Sequence, residues 1–127
     1  MSAIIKEAYT WLGTPYHPHA RIKGAGCDCA TLLLEVFNIN EDVGHYSPER
    51  HFHSSEEQYL GWLNKFGEEV DTPEPGDVAI FKIGRCFSHS AIVVDKKTLI
   101  HSHIGQGVVL ANVADFAKRE VKYFRMR

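Results

Sequence analysis

No stretch of this 127-residue chain comes near the roughly 18 consecutive apolar residues that a helix needs to cross a bilayer. Dense Lys/Arg blocks are missing too. Fourteen basic residues against 16 acidic ones give a formal net charge of -2, so a polyanion finds no electrostatic footprint. Neither a membrane span nor a nucleic-acid partner is expected. Met1 to Thr10 lacks the basic patch and apolar run of a secretory leader, and the chain reads as cytoplasmic on synthesis, without a signal peptide. Repeats and low-complexity tracts are also absent. A hydrophobic share of 44% over this length suffices for one compact domain, residues 1–127, and no second one.

Cysteine is scarce. Three residues are an odd number, and Cys27 and Cys29 stand one residue apart, where a disulfide would be strained. A disulfide framework is not expected, and at least one thiol should be free. Neither a paired Cys-x-x-Cys nor a His-Glu-x-x-His helix occurs, which removes two common zinc signatures. Histidine, by contrast, is abundant. Of eight, six fall into pairs: His17 with His19, His51 with His53, His101 with His103. On a strand His101 and His103 would project to one side, and a carboxylate or Cys29 could complete a tetrahedral shell. A zinc-dependent hydrolase is therefore the competing reading, while the preferred one needs no metal and no cofactor.

Ile4, Ile5, Ala8, Tyr9 and Leu12 share one helical face, stopped by Gly13-Thr14-Pro15, and predict a first amphipathic helix. Tyr16 to Gly26 is aperiodic and reads as a loop leading to Cys27-Asp28-Cys29. Ala30 to Phe37 is apolar on nearly every side, as a buried central helix would be, with Cys29 in its first turn. Glu41 to His53 reads as a surface loop bordering the site. Ser54-Ser55-Glu56-Glu57 has the form of a capping box, and Tyr59, Leu60, Leu63 and Phe66 continue a third helix up to Gly67. Beyond Pro73 and Pro75 come five β-prone runs: Val78–Phe81, Ala91–Val94, Thr98–His101, Val108–Leu110 and Val121–Phe124. Asn112 to Asp115 forms a short helical turn before the last of them. Helices followed by a mostly antiparallel sheet of five to six strands define an α+β domain.

A thiol attacks an acyl carbon as thiolate, and the start of a helix, with its unpaired N–H groups and dipole, favours that form. Cys29 has this position, and the same N–H groups could face the oxygen of a tetrahedral intermediate. The base has to be an imidazole within reach. His89 opens the alternating run His89-Ser90-Ala91-Ile92-Val93-Val94, whose His89-Ala91-Val93 face is expected to pack on the Cys29 helix. His101, on the neighbouring strand, is the favoured partner for the second ring nitrogen of His89. Cys27, outside the helix start, and Cys86 read as structural. His17, His19, His51 and His53 read as loop or rim residues.

Five blocks in order, Leu12-Gly13-Thr14-Pro15-Tyr16, Gly26-Cys27-Asp28-Cys29, Pro75-Gly76-Asp77-Val78, Ser88-His89-Ser90-Ala91-Ile92 and Ile100-His101-Ser102, make the chain resemble the NlpC-type cysteine peptidases. Lys23 to Cys29 is similar to the phage- and prophage-encoded branch. The resemblance implies a papain-like fold and cleavage of peptide bonds in peptidoglycan stems, next to D-glutamate and diaminopimelate. By position it implies Cys29 as nucleophile, His89 as base, His101 as third member and Tyr16 as a hydrogen-bond donor near the oxyanion. Asp28, Ser88 and His103, which flank these, are then expected to contact substrate. Phage tail proteins become expected partners, with the protein virion-associated and acting at the cell wall. A tail structural part that keeps the fold without the activity is a third class. The chain departs from the family pattern at Ala30-Thr31, where most members carry Ser-Gly, so Thr31 adds bulk on a helix that should pack closely.

Overall fold

The computed structural model describes residues 2–40 and 53–127, with side chains for all of these but 53–58. The expected loop Glu41–His53 and His51 thus lie outside the described residues, save for His53, which opens a helix. Helix α1 (Ala3–Thr10) begins at Ser2, whose hydroxyl accepts the Ile5 N–H at 3.2 Å. It ends before the apolar spacing does. Trp11 turns into the core, and Leu12, expected on the buried face, is exposed, because Gly13 at φ 88° diverts the chain. Within the predicted loop, β1 (Arg21–Ile22) and β2 (Gly26–Cys27) pair as a small antiparallel ladder.

Helix α2 (Cys29–Val36) buries Leu32, Leu33, Leu34 and Val36, as its all-round apolarity predicts. Helix α3 (His53–Phe66) begins ahead of Ser54, so Ser54 lies within the helix and not before it as a cap. Six strands follow: β3 (Gly67–Val70), β4 (Val78–Ile83), β5 (Cys86–Val93), β6 (Thr98–His103), β7 (Gly107–Asn112) and β8 (Val121–Met126). Their order is β3-β8-β4-β5-β6-β7, and each neighbouring pair is antiparallel. The expected runs correspond to β4 to β8. Strand β3, Gly-Glu-Glu-Val, carries no apolar alternation to reveal it. It exists because Gly67 brings the chain against β8, where a Cβ would stand 2.7 Å from the Arg125 carbonyl oxygen. The predicted turn is a 3-10 segment, η1 (Val113–Phe116), capped by the Asn112 side chain, which accepts the Ala114 N–H at 2.9 Å.

The sheet is apolar on both faces. Ile80, Ile92, Ile100, Val108 and Phe124 pack with α2 and with Tyr59 and Leu63 of α3. On the other face Ala79, Phe81, Ala91, Val93 and Leu99 pack with Val113, Phe116 and Tyr123. Each fully buried aliphatic or aromatic side chain contributes roughly 1.5–3 kcal/mol, so the α2 face dominates the fold. Asp77 of the Pro-Gly-Asp block receives the Arg125 guanidinium at 2.9 and 3.1 Å and the Glu74 N–H at 2.8 Å. That clamp fixes the start of β4 to β8.

Candidate active site

Cys29 is the first residue of α2, and what holds it there is Asp28. The Asp28 Oδ1 accepts the Ala30 and Thr31 N–H groups, both at 2.9 Å, and Oδ2 accepts the His19 N–H at 2.8 Å. Thr31 Oγ1 in turn accepts the Asp28 N–H at 2.8 Å, which closes a capping box. Asp28 is fully buried and its carboxylate faces the chain's own backbone, not substrate. The Ala30 and Thr31 N–H groups are turned to Asp28 in the same way, so they do not face an oxyanion as the helix start alone suggests. Thr31, the departure from the family pattern, is accommodated by the cap that its hydroxyl completes.

Around the sulfur the contacts come from α3 and β5. Cys29 Sγ lies 3.9 Å from the Ser88 carbonyl oxygen and 3.7 Å from the Tyr59 hydroxyl, which also hydrogen-bonds Ser90 Oγ. Ser90 Oγ donates to the Cys29 carbonyl at 3.2 Å. Sequence reasoning misses Tyr59 and Ser90 as site residues, since Tyr59 reads there as one more apolar position of α3. Cys27, also buried, is a different kind of thiol: burial, with the neighbouring Asp28 and Cys29 adding to it, pushes its pKa up to about 11. It stays protonated at neutral pH, and its carbonyl accepts the Ser102 hydroxyl at 3.1 Å.

The strand alternation predicts that His89, Ala91 and Val93 face α2, and the structure corrects this. Ser90 and Ile92 face α2, whereas Ala91 and Val93 belong to the opposite cluster. His89 keeps the face of Ala91 and Val93, where Phe116 stacks on it, and the β-bulge falls just before it. Phe81 pairs with His89 and Lys82 with Phe87, leaving Ser88 without a counterpart on β4. Such an extra residue bends a strand and re-aims its side chains, and successive residues Ser88 and His89 accordingly line one cleft.

His89 Nε2 is 2.7 Å from His101 Nδ1, and the rings meet edge to face. Phe116 stacks on His89 at 6.1 Å and stands edge-on to His101 at 5.8 Å. Burial, reinforced by the nearby His89 and His103, lowers the His101 pKa to about 4, with Asp115 opposing the shift. His101 is therefore neutral at neutral pH. Its Nδ1 can accept from His89 Nε2–H, provided His101 carries its own proton on Nε2.

A cleft of about 370 Å³ opens over this group, its walls including Tyr16, Ser88, His89, His103, Asp115 and Arg119. Tyr16 is held against Cys27 by a parallel bridge. The neighbouring backbone adds two bonds, Cys27 N–H to the Pro15 carbonyl at 3.1 Å and His17 N–H to the Cys27 carbonyl at 3.0 Å. Gly107 (φ 77°) secures that loop from the sheet side, since a Cβ there would meet the Thr14 carbonyl oxygen at 2.4 Å. Cys29 itself, 1% exposed, lies beneath the cleft at Ser88. The structure thus gathers Tyr16, Ser88, His89 and His103 on the cleft, His101 behind His89 and Cys29 below, with Asp28 apart as the cap. Asp115, Phe116 and Arg119 are additions that only the fold brings in. Among the described residues no group of three or more His, Cys, Asp and Glu is arranged to hold a metal ion. His89 and His101 turn their nitrogens toward each other, which is not how two ligands of one ion stand.

A cysteine opening a central helix, a histidine on the adjoining antiparallel sheet and a second polar ring behind it define the papain-like fold. The profile of the NlpC/P60 family matches residues 6–125, and the chain belongs to that family. Among solved structures it is similar to the NlpC/p60 domain of the peptidoglycan hydrolase SagA (23% identity, TM-score 0.66, covering 98% of this chain and 97% of that one). It also resembles NlpC1 from Trichomonas vaginalis (17%, TM-score 0.68, 97% and 42%) and the peptidoglycan hydrolase RipB from Mycobacterium tuberculosis (17%, TM-score 0.64, 98% and 64%). No curated protein sequence gives a significant match. None of the described helices is long and apolar enough to cross a membrane.

Proposed function

We propose that this protein is a cysteine peptidase that hydrolyses an amide bond in peptidoglycan stem peptides, with Cys29 as nucleophile and His89 as base. The observation that carries the reading is the 2.7 Å bond between His89 Nε2 and His101 Nδ1, on a bulge whose Ser88 carbonyl touches Cys29 Sγ. With Nε2 engaged by a neutral His101, Nδ1 is the nitrogen of His89 that exchanges a proton with the thiol. Family membership supports the same chemistry, and SagA and RipB, both described as peptidoglycan hydrolases, support the substrate class.

In this reaction His89 takes the Cys29 proton and the sulfur attacks the amide carbonyl carbon. The Cys29 N–H and the Tyr16 hydroxyl bind the oxyanion. His89 then protonates the leaving amine as the C–N bond breaks, and water, deprotonated by His89, releases the acyl group from sulfur. The sequence blocks support a finer reading as well: cleavage between D-glutamate and diaminopimelate, by an enzyme carried on a phage particle alongside tail proteins. Digestion of purified peptidoglycan followed by mass spectrometry of the muropeptides tests activity and bond together. New amine and carboxyl ends are expected with the wild type and none with Cys29→Ala. Equal cleavage by both would rule the mechanism out. Iodoacetamide labelling at mildly acidic pH gives a second reading, with Cys29 modified well before Cys86.

A further inference from the structure

The sulfur of Cys29 is buried, and burial favours a thiol over its anion. Two of the N–H groups at the start of α2 that would favour the anion, those of Ala30 and Thr31, are turned to Asp28. Of the two groups described against Sγ, the Ser88 carbonyl at 3.9 Å only accepts, so it suits the S–H and opposes the thiolate. The Tyr59 hydroxyl at 3.7 Å can donate. Tyr59 belongs to α3 and is buried in the core between the helices and the sheet, whereas Tyr16 lines the cleft. Its ring is set by Trp62, with centroids 5.9 Å apart.

The same hydroxyl has a second neighbour, Ser90 Oγ. Ser90 gives its own hydrogen to the Cys29 carbonyl at 3.2 Å, which leaves its lone pairs for the Tyr59 O–H. One hydroxyl hydrogen thus has two acceptors, a serine oxygen and the sulfur. A neutral thiol sulfur is a weak acceptor, and a thiolate takes a charge-assisted bond. We propose that Tyr59 donates to Ser90 Oγ while Cys29 is a thiol and turns its hydrogen to Sγ when Cys29 ionises, stabilising the nucleophile from within the core. The proton stays on Tyr59 throughout, and the one that Cys29 loses goes to the base. Ser90 acts only through Tyr59, as the acceptor that holds the hydroxyl ready.

This role rests on Cys29 being the nucleophile, and its test needs no turnover. The rate of iodoacetamide alkylation at Cys29, read peptide by peptide by mass spectrometry, is followed across pH to find the midpoint of ionisation. Tyr59→Phe keeps the ring and removes the hydroxyl. It should raise the midpoint by about one pH unit, a roughly tenfold loss of thiolate below it, the scale of one hydrogen bond to a charged group. Ser90→Ala should lower the midpoint, because the hydroxyl then has only the sulfur to donate to. Both substitutions leave in place Asp28 and Cys27 beside the sulfur, and Glu7, Arg21, His89 and His101 on the elements packed against α2, so opposite shifts report the shared hydrogen. A midpoint that Tyr59→Phe does not raise, or that Ser90→Ala does not lower, overturns the proposal. Opposite shifts in a protein that releases no muropeptide would uphold the hydrogen bond and overturn the peptidase reading.

Discussion

At the start of α2 the contacts that fix the backbone are close in sequence: Asp28 caps Ala30 and Thr31, and Thr31 caps Asp28. At the histidine end of the sheet no such local contact sets the geometry. His89 and His101 are 12 residues apart, set opposite one another by two strands, and Phe116 closes over them from the segment after β7. The first region is sealed and satisfied. The second is titratable and open to the cleft. The setting of the cysteine can be built from four consecutive residues, whereas the histidine pair needs the sheet to be assembled, so damage to either should separate stability from turnover in opposite proportions.

The sharpest break is Cys29→Ala, expected to abolish muropeptide release while the thermal melt stays close to that of the wild type. A melt that collapsed would mean the sulfur is structural. Next, His101→Gln should lower kcat by roughly a hundredfold, the scale of general acid–base catalysis, because His89 loses the acceptor that fixes its tautomer. The same variant tests pH linkage. His101 titrates at about 4 when folded, below its ordinary value of 6.5. The unfolded chain therefore binds the proton first, and stability falls as pH drops from 6.5 through 4. The loss is at most about 3 kcal/mol, and urea melts at pH 7 and pH 4.5 should show it in the wild type and less of it in His101→Gln.

Asp28→Ala should have its main effect in the sealed region. Three backbone N–H groups lose their acceptor, and a cost of about 2–3 kcal/mol is expected by chemical denaturation. An unchanged midpoint would show that the cap is dispensable. Thr31→Val is the mildest, removing one buried acceptor for about 1 kcal/mol, with turnover on soluble stem peptides retained. Turnover lost in Thr31→Val with normal stability would move Thr31 from the fold to the reaction.

Much of this architecture is legible in the order of the residues. The apolar run after Cys29 specifies a buried helix and the short β-prone runs specify β4 to β8, because both patterns report which side chains must leave water. The pairing of His89 with His101 is readable from ordered blocks and strand alternation. The face that packs on α2 is not, since alternation groups His89 with Ala91 and Val93 without saying which side of the sheet the helices cover. Strand β3 escapes because an edge strand needs only one neighbour and no apolar face of its own. Asp28 looks like a substrate contact for a related reason: a buried cap and a binding carboxylate are the same residue in sequence.

The sequence by itself determined the α+β class, the cysteine at the mouth of a buried helix and the two histidines on neighbouring strands, all consequences of local pattern and spacing. Only the tertiary structure decided which way His89 points, that Tyr59 and Ser90 surround the sulfur, and that Asp115, Phe116 and Arg119 wall the cleft. Those outcomes depend on strand register and on contacts between residues far apart in the chain, and register is an energy of the whole assembled sheet.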